Sequence, residues 1–186
     1  MAGIVFVVLI VAVALWAIAS YNRLVGMRNQ VLNGWRQIDV QLKRRHDLIP
    51  NLVNAVRGSM EFERDTLTAV MDARARALTA ASPLDAAVKE GQLTQALGRL
   101  LAVAERYPTL KSNDNVKMLQ EELSATENKV GFARQFYNDI VTKFNTSQQV
   151  FPANLFASAF GFRPSELFEI TETADREVPL VDLSRK

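Results

Sequence analysis

The sequence contains no cysteine and a single histidine, His46. The lack of cysteine excludes disulfide bonds, thiolate metal sites and cysteine nucleophiles. One histidine cannot supply the two Glu-x-x-His pairs of a di-iron carboxylate bundle. Glycine and proline are also sparse between Gly26 and Phe151, which favours a helical protein. We therefore predict an all-α protein that holds no metal ion and no cofactor.

Charge is missing from the N-terminal segment. Residues 1–19 contain neither a charged residue nor a proline. A helix rises about 1.5 Å per residue, so this segment matches a hydrocarbon core of about 30 Å. Trp16 and Tyr21 lie where an interfacial aromatic belt is expected. We predict that residues 1–21 are a transmembrane anchor in contact with membrane lipid.

Two alternatives to an anchor fit the N-terminal segment less well. A cleaved signal peptide would use Ala17-Ile18-Ala19 as its cleavage site, but the segment lacks a basic start and is apolar up to the cut. A buried core helix rarely runs this long without a polar residue. The anchor is favoured.

The basic residues near the segment predict its orientation in the membrane. The nearest of them, Arg23 and Arg28, follow the segment, so the positive-inside rule predicts an outside N-terminus and a cytoplasmic remainder.

The charge of the whole chain is nearly balanced. There are 22 basic and 20 acidic residues, for a formal net charge of +2. The basic residues form no continuous stripe with interleaved aromatics, so we expect no nucleic-acid partner. The chain beyond the anchor is long enough for one domain with a real core.

Heptad spacing of apolar residues predicts long helices. One seam runs from Leu24 to Ile49 and includes Arg45, and a second runs from Val116 to Phe151 without a slip. Pro50 predicts a turn, or at least a kink, over residues 47–50, followed by a second helix over about 51–78. Ser82 is expected to cap a third helix, which begins at Pro83 and extends to about residue 106. The fourth begins after Ser112 or Asn113, and Pro152 ends it.

The seam arginine predicts an ion pair inside the bundle. Arg44 or Arg45 is expected to pair with a carboxylate of the fourth helix, such as Glu127. A charge in a seam costs stability but fixes helix register. On this reasoning, Arg45→Leu would keep the fold and loosen partner choice or oligomeric state.

The segment after Pro152 is short, aromatic and uncharged. Its candidate contact residues are Phe156, Phe160 and Phe162. A cap that closes one end of the bundle is favoured, since exposed aromatic patches are unusual on monomers. The alternative is a loop that contacts lipid or a partner. From residue 163 the sequence predicts an extended tail, with a strand-like stretch over residues 168–170.

Several stretches of the chain resemble signatures of the LemA family of bacterial membrane proteins. They cover residues 35–53, 121–129, 133–138 and 151–162. The resemblance implies a single N-terminal anchor, an antiparallel helical bundle and no established catalytic residue. One branch of the family is associated with magnetosome membranes. We therefore expect a single-pass protein of the bacterial inner membrane with three parts: anchor 1–21, helical bundle 22–162 of about four helices, and extended or flexible tail 163–186.

His46 supports an alternative function. The stretch from Arg45 to Pro50 is similar to the phospho-accepting box of sensor kinases, although the proline follows the histidine by four residues rather than five. Phosphotransfer would require an exposed histidine on a helix. We favour instead a structural histidine at a helix turn, hydrogen-bonded to the backbone or to Asp47.

The sequence thus predicts a non-enzymatic, membrane-anchored helical scaffold. Its partners are unidentified proteins or a second copy of the chain. The predicted contact region joins the turn near Asp47, Pro50 and Asn51, the connector at residues 79–82 and the aromatic segment after Pro152. Phosphotransfer through His46 is the alternative.

Overall fold

The computed structural model describes residues 1–60 and 62–169, and most of them are helical. In chain order the helices are α1 (Ala2–Arg57), α2 (Arg64–Ala77), α3 (Pro83–Ala104), α4 (Pro108–Lys111), α5 (Asp114–Gln149) and α6 (Asn154–Ala157). The described residues contain no strand. The predicted all-α fold class is confirmed.

Helix α1 contains both the apolar N-terminal segment and the first helix of the bundle. Its 56 residues span about 84 Å at 1.5 Å per residue. The apolar side chains from Ile4 to Ile18 are exposed, and within the described ranges α1 is the one helix long and apolar enough to cross a membrane. The predicted seam beyond Leu24 also includes Trp35, which is half-buried, and Arg28, which is exposed; its other members are buried. The Arg28 guanidinium lies 5.6 Å from the centre of the Phe162 ring.

Helix α5 packs antiparallel to α1. Gly34 lies against Tyr137, whereas Arg45 lies against Glu127, so residue numbers rise along one helix as they fall along the other. A Cβ atom on Gly34 would lie 3.4 Å from the Tyr137 ring, so the two helices approach closely here. The predicted α5 seam is buried or half-buried from Val116 onward, except for its last member, Phe151.

The core consists of two apolar clusters. The distal core joins the C-terminal end of α1 to α2, α3, α4 and the start of α5. The proximal core, nearer the apolar segment, joins the middle of α1 to the start of α3, the second half of α5, the end of α6 and the chain after it. Both predicted helix starts are confirmed: Ser82 Oγ accepts a hydrogen bond from the Asp85 N–H, and Asn113 Oδ1 accepts from the Asn115 N–H.

The predicted turn at residues 47–50 is wrong, and so is the predicted start of the second helix at about residue 51. Helix α1 continues through Pro50 to Arg57, and the break lies at residues 58–63. Proline lacks the N–H that would bond to the carbonyl four residues earlier, which belongs to His46. The Nε of Arg74, in α2, donates to this carbonyl at 2.7 Å. A tertiary contact thus replaces the hydrogen bond that proline removes, and the helix is not interrupted.

The C-terminal strap, residues 163–169, runs along α5 in an extended conformation. The side-chain amide of Asn138 donates to the Phe168 carbonyl and accepts from the Phe168 N–H. The amide of Asn145 makes the same two hydrogen bonds with Ser165, and the four donor–acceptor distances are 2.8–3.2 Å. The hydroxyl of Tyr137 donates to the Glu166 carbonyl at 2.9 Å. The predicted strand is not formed at residues 168–169, because α5 side chains bind the strap. Residues 170–186, the rest of the predicted tail, lie outside the described residues.

The replacement bond at Pro50 can be tested with a double-mutant cycle. We expect Arg74→Met to lower the free energy of unfolding by about 1–3 kcal/mol, because it leaves the His46 carbonyl without a donor. In a Pro50→Ala background the cost should be smaller, since the new N–H bonds to that carbonyl. The measurement is chemical denaturation of the full chain in detergent micelles. Arg76→Met, at an exposed position of α2, is the control. Equal costs in both backgrounds would contradict the assignment.

The strap predicts a pH dependence through Tyr137. Burial, and to a lesser extent the charge of Glu166, raises the pKa of Tyr137 from 10.0 to about 12. The folded state then holds this proton more tightly than the unfolded state. The contribution of the Tyr137 proton to the free energy of unfolding is fully present below pH 10. It is lost as the pH rises towards 12. Phenolate absorbance of the native protein should show one of the three tyrosines titrating near pH 12, and Tyr137→Phe should remove it. If no tyrosine titrates near pH 12, the burial of the Tyr137 hydroxyl is contradicted.

Candidate functional site

A buried charge network connects α1 to α3. Arg45 is 3% exposed, and His46 and Glu90 are each 5% exposed. Arg45 Nη1 donates to Glu90 Oε2 at 3.1 Å, and His46 Nε2 lies 2.6 Å from Glu90 Oε1. A carboxylate only accepts hydrogen bonds, so His46 donates from Nε2. Both oxygens of Glu90 are therefore bound by neighbouring residues of α1.

The other guanidinium nitrogen extends the network. Arg45 Nη2 donates to Thr94 Oγ1 at 2.8 Å and to Glu127 Oε2 at 3.2 Å. The side chain of Glu127 is 54% exposed, so this second ion pair faces solvent. One arginine thus binds side chains of α3 and α5 while itself belonging to α1. These bonds fix the positions of α1, α3 and α5 along their axes relative to one another.

The network lies between the two apolar cores. On α1 it separates Leu42 of the proximal core from Ile49 of the distal core. On α3, Glu90 lies between Ala87 and Leu93 in the same way. Throughout the part of the chain that the structure describes, every buried side-chain polar atom has a hydrogen-bond partner. The network is therefore a fully paired polar layer inside an apolar bundle.

The bonds of the network indicate how it acts. Its charged groups are bonded to one another. The described residues contain no group of three side chains suited to a metal ion. Removing one member of a buried ion pair leaves an uncompensated charge and costs about 3–5 kcal/mol. A shift of α3 along α1 would have the same effect, so the network is arranged to fix helix register.

The structure contains the predicted ion pair between Arg45 and Glu127. Arg44, the other candidate, is exposed. His46 does not lie at a turn and does not bond to Asp47, because α1 continues past both residues and Glu90 faces the imidazole. Its burial removes the exposure that phosphotransfer would require. Asp47 is exposed and pairs with Lys43 at 3.3 Å.

Sequence reasoning missed Glu90, Thr94 and Arg74. A signal for Glu90 was present. It shares heptad spacing with the buried residues Ala86, Leu93, Leu97, Leu100 and Ala104. A charged residue in an otherwise apolar seam indicates a buried partner of opposite charge. The sequence contains no comparable signal for Thr94 or Arg74, because their hydrogen bonds depend on how α2 and α3 pack.

The predicted contact region is not one surface. Phe162 is buried and packs on Tyr21 near the apolar end of α1, with ring centroids 5.7 Å apart. Pro50 is half-buried and Asn51 exposed, and they lie roughly 40 Å further along α1. Phe160 also contacts Tyr21. Phe156 belongs to α6, but its side chain lies outside the described part of the structure.

An exposed apolar groove lies between α1 and α5. It has a volume of about 560 Å³. Its lining combines apolar, amide and basic side chains: Arg36, Gln37, Val40, Gln41, Lys129, Phe132, Ala133 and Phe136. Phe132 is 74% exposed, and Val40 and Phe136 are also exposed. The lining of this α1–α5 groove thus includes two aromatic rings and two basic side chains.

A second cavity, of about 620 Å³, lies at the distal end of the bundle. Arg57 and Arg64 flank it, and Met60 and Met71 contribute to its lining. Glu61 follows Met60 directly and lies outside the described residues.

The fold and these sites define a class of protein: a helical bundle that continues directly from a long apolar helix and is held in register by buried charges. The model of the LemA family matches residues 34–183. The chain belongs to the LemA family. With its apolar α1, it is a membrane-associated protein of that family.

Named relatives support this assignment. The chain is 25% identical to Magnetosome protein MamQ 2 of Paramagnetospirillum magneticum, over 94% of this chain and 74% of the relative. It is 23% identical to Magnetosome protein MamQ of Magnetospirillum gryphiswaldense, over 85% and 68%. It is 24% identical to Protein LemA of Metamycoplasma hominis, over 87% and 74%. LemA and MamQ are not names of enzyme families.

The buried and exposed carboxylates of the network should differ in their effect on stability. We expect Glu90→Ala to lower the free energy of unfolding by about 3–5 kcal/mol, because Arg45 and His46 lose their buried partner. Glu127→Ala should cost less than about 1 kcal/mol, because that pair is solvated. Arg45→Leu, which the sequence predicted to be tolerated, should now be costly for the same reason as Glu90→Ala.

Denaturation of the full chain in detergent measures all three variants. The triple replacement Arg45→Met, His46→Leu and Glu90→Leu is the control, since exchanging a whole buried network for apolar residues is often neutral. It should recover most of the stability that Glu90→Ala loses. A Glu90→Ala variant as stable as Glu127→Ala would show that the network does not hold the register.

Proposed function

We propose that this protein is a non-enzymatic, membrane-anchored platform that binds a partner protein at the bacterial cytoplasmic membrane. The observation that carries the proposal is the continuity of α1. One helix contains the exposed apolar segment, one wall of the bundle and one wall of the α1–α5 groove. Whatever binds the groove is thereby coupled to the membrane through a single rigid element.

The continuity of α1 also supports retention of the apolar segment. Cleavage after Ala19 would cut α1 inside a helix, two residues before Tyr21, which packs against Phe160 and Phe162. The basic residues Arg23, Arg28 and Arg36 follow the apolar segment and favour a cytoplasmic bundle. In this orientation the groove faces the cytoplasm. Val40 lies roughly 30 Å along α1 from Tyr21.

The occupant we propose for the groove is an amphipathic helix with an acidic flank, contributed by a different protein. Amphipathic helices bind apolar grooves through residues spaced three and four apart, and the exposed side chains of Phe132 and Phe136 match that spacing. The lining includes Arg36 and Lys129 and no carboxylate. Two copies meeting groove to groove would bring like charges together. Charge therefore favours an acidic partner over a second copy.

Site-specific photocrosslinking in native membranes tests this function. A photoreactive phenylalanine analogue at position 132 should give a discrete adduct whose mass differs from that of a dimer. The double charge reversal Arg36→Glu and Lys129→Glu should reduce that adduct several-fold, since the acidic flank would then be repelled. Both side chains lie in the groove and outside the buried network.

The matched control is position 118 of the same helix. Met118 is exposed and lies two heptads before Phe132, on the same helical face but outside the groove. It should give no adduct. Equal adducts at both positions would contradict a specific groove, and an adduct with the mass of two chains would identify the occupant as a second copy.

A further inference from the structure

Residues 150–162, here called the collar, contain no charged residue, although charged residues are frequent in the bundle. The collar divides into two sets of side chains. Ala157 and Phe162 are buried in the proximal core and close that end of the bundle. Val150, Phe151 and Leu155 are exposed, and Phe151 is 75% exposed. The cap therefore accounts for only part of the apolar collar.

Contacts with α1 fix the level of the collar. The rings of Phe160 and Phe162 pack on Tyr21, with centroids 5.2 and 5.7 Å away. Val150 and Phe151 line a small cavity together with Trp16, Ser20 and Arg23. The collar therefore lies beside residues 16–24 of α1, a length of about 12 Å.

This level coincides with the end of the apolar segment. A helix crosses a hydrocarbon core of about 30 Å with about 20 residues, and the apolar run ends at Ala19. The headgroup region adds a few ångströms on each side. The exposed collar residues are thus level with the headgroups, next to the end of the membrane span. Tryptophan and tyrosine are enriched at that depth, and Trp16 and Tyr21 of α1 lie beside the collar.

We propose that the collar is a second membrane contact, in which Phe151 and Leu155 enter the lipid interface beside α1. The exposed apolar surface of the collar is continuous with that of α1, and the bilayer around α1 covers both. A single membrane span leaves the helical bundle free to tilt about the point where α1 leaves the bilayer. A contact on one side of the span restricts that tilt and sets the direction in which the bundle faces. This inference rests on the membrane span of the proposed function, and it is independent of the partner at the α1–α5 groove.

The absence of cysteine permits a direct test with single-cysteine nitroxide labels. The full chain is reconstituted in vesicles of phosphatidylethanolamine and phosphatidylglycerol. Labels at Phe151→Cys and Leu155→Cys report collision with oxygen, which concentrates in the bilayer, and with a water-soluble nickel complex. We expect an oxygen-to-nickel accessibility ratio several-fold higher than at Phe132→Cys. Phe132 is the matched control, because it is 74% exposed and Phe151 is 75% exposed.

A label at Leu9→Cys, inside the apolar segment, separates the possible failures. If position 9 lies in lipid and positions 151 and 155 behave like position 132, the collar proposal is overturned and the membrane span stands. If position 9 is also accessible to nickel, the span and the collar fail together. If positions 151 and 155 are shielded from both reagents, protein covers the collar and the proposal is again overturned.

Discussion

The ion pair between Arg45 and Glu90 is the contact on which the bundle depends. Two buried charges from helices distant in sequence lie 3.1 Å apart, and His46 binds the second carboxylate oxygen. Burial of apolar surface is non-directional, so apolar side chains fix helix register less strictly than a buried ion pair does. A buried charge does not tolerate sliding, since displacement by one helical turn leaves it unpaired. The polar layer therefore determines how the two apolar cores align along α1.

The same requirement, that buried polar groups be paired, explains why α1 is continuous. The Arg74 side chain bonds to the carbonyl that Pro50 leaves without a donor. Helix α1 can then carry an apolar segment, a charge network and a groove wall in one element. In the function we propose, this continuity transmits membrane position to the docking surface. The collar would add a second point of contact with the same bilayer.

The sequence predicted most of the fold, because apolar periodicity is a local property of a helix. Spacing predicts the α5 seam, and side-chain chemistry predicts a cap at Ser82 and another at Ser112 or Asn113. The structure agrees, with Asn113 as the cap of α5. The prediction failed at Pro50, where a local rule ignores a donor from α2. It found one carboxylate partner of Arg45, Glu127, and missed Glu90, because spacing reveals that a seam residue is charged but not which seam it faces.

The sequence by itself determined which residues are apolar, and hence the apolar N-terminal segment, the seams and the all-α class, since burial of apolar surface requires no particular partner. Only the tertiary structure decided that His46 is buried, that α1 passes through Pro50, and that the collar lies beside Tyr21 rather than near residues 47–51. These outcomes depend on hydrogen bonds and ring contacts between residues far apart in the chain. Such contacts have direction and short range, so they exist only once the helices are packed.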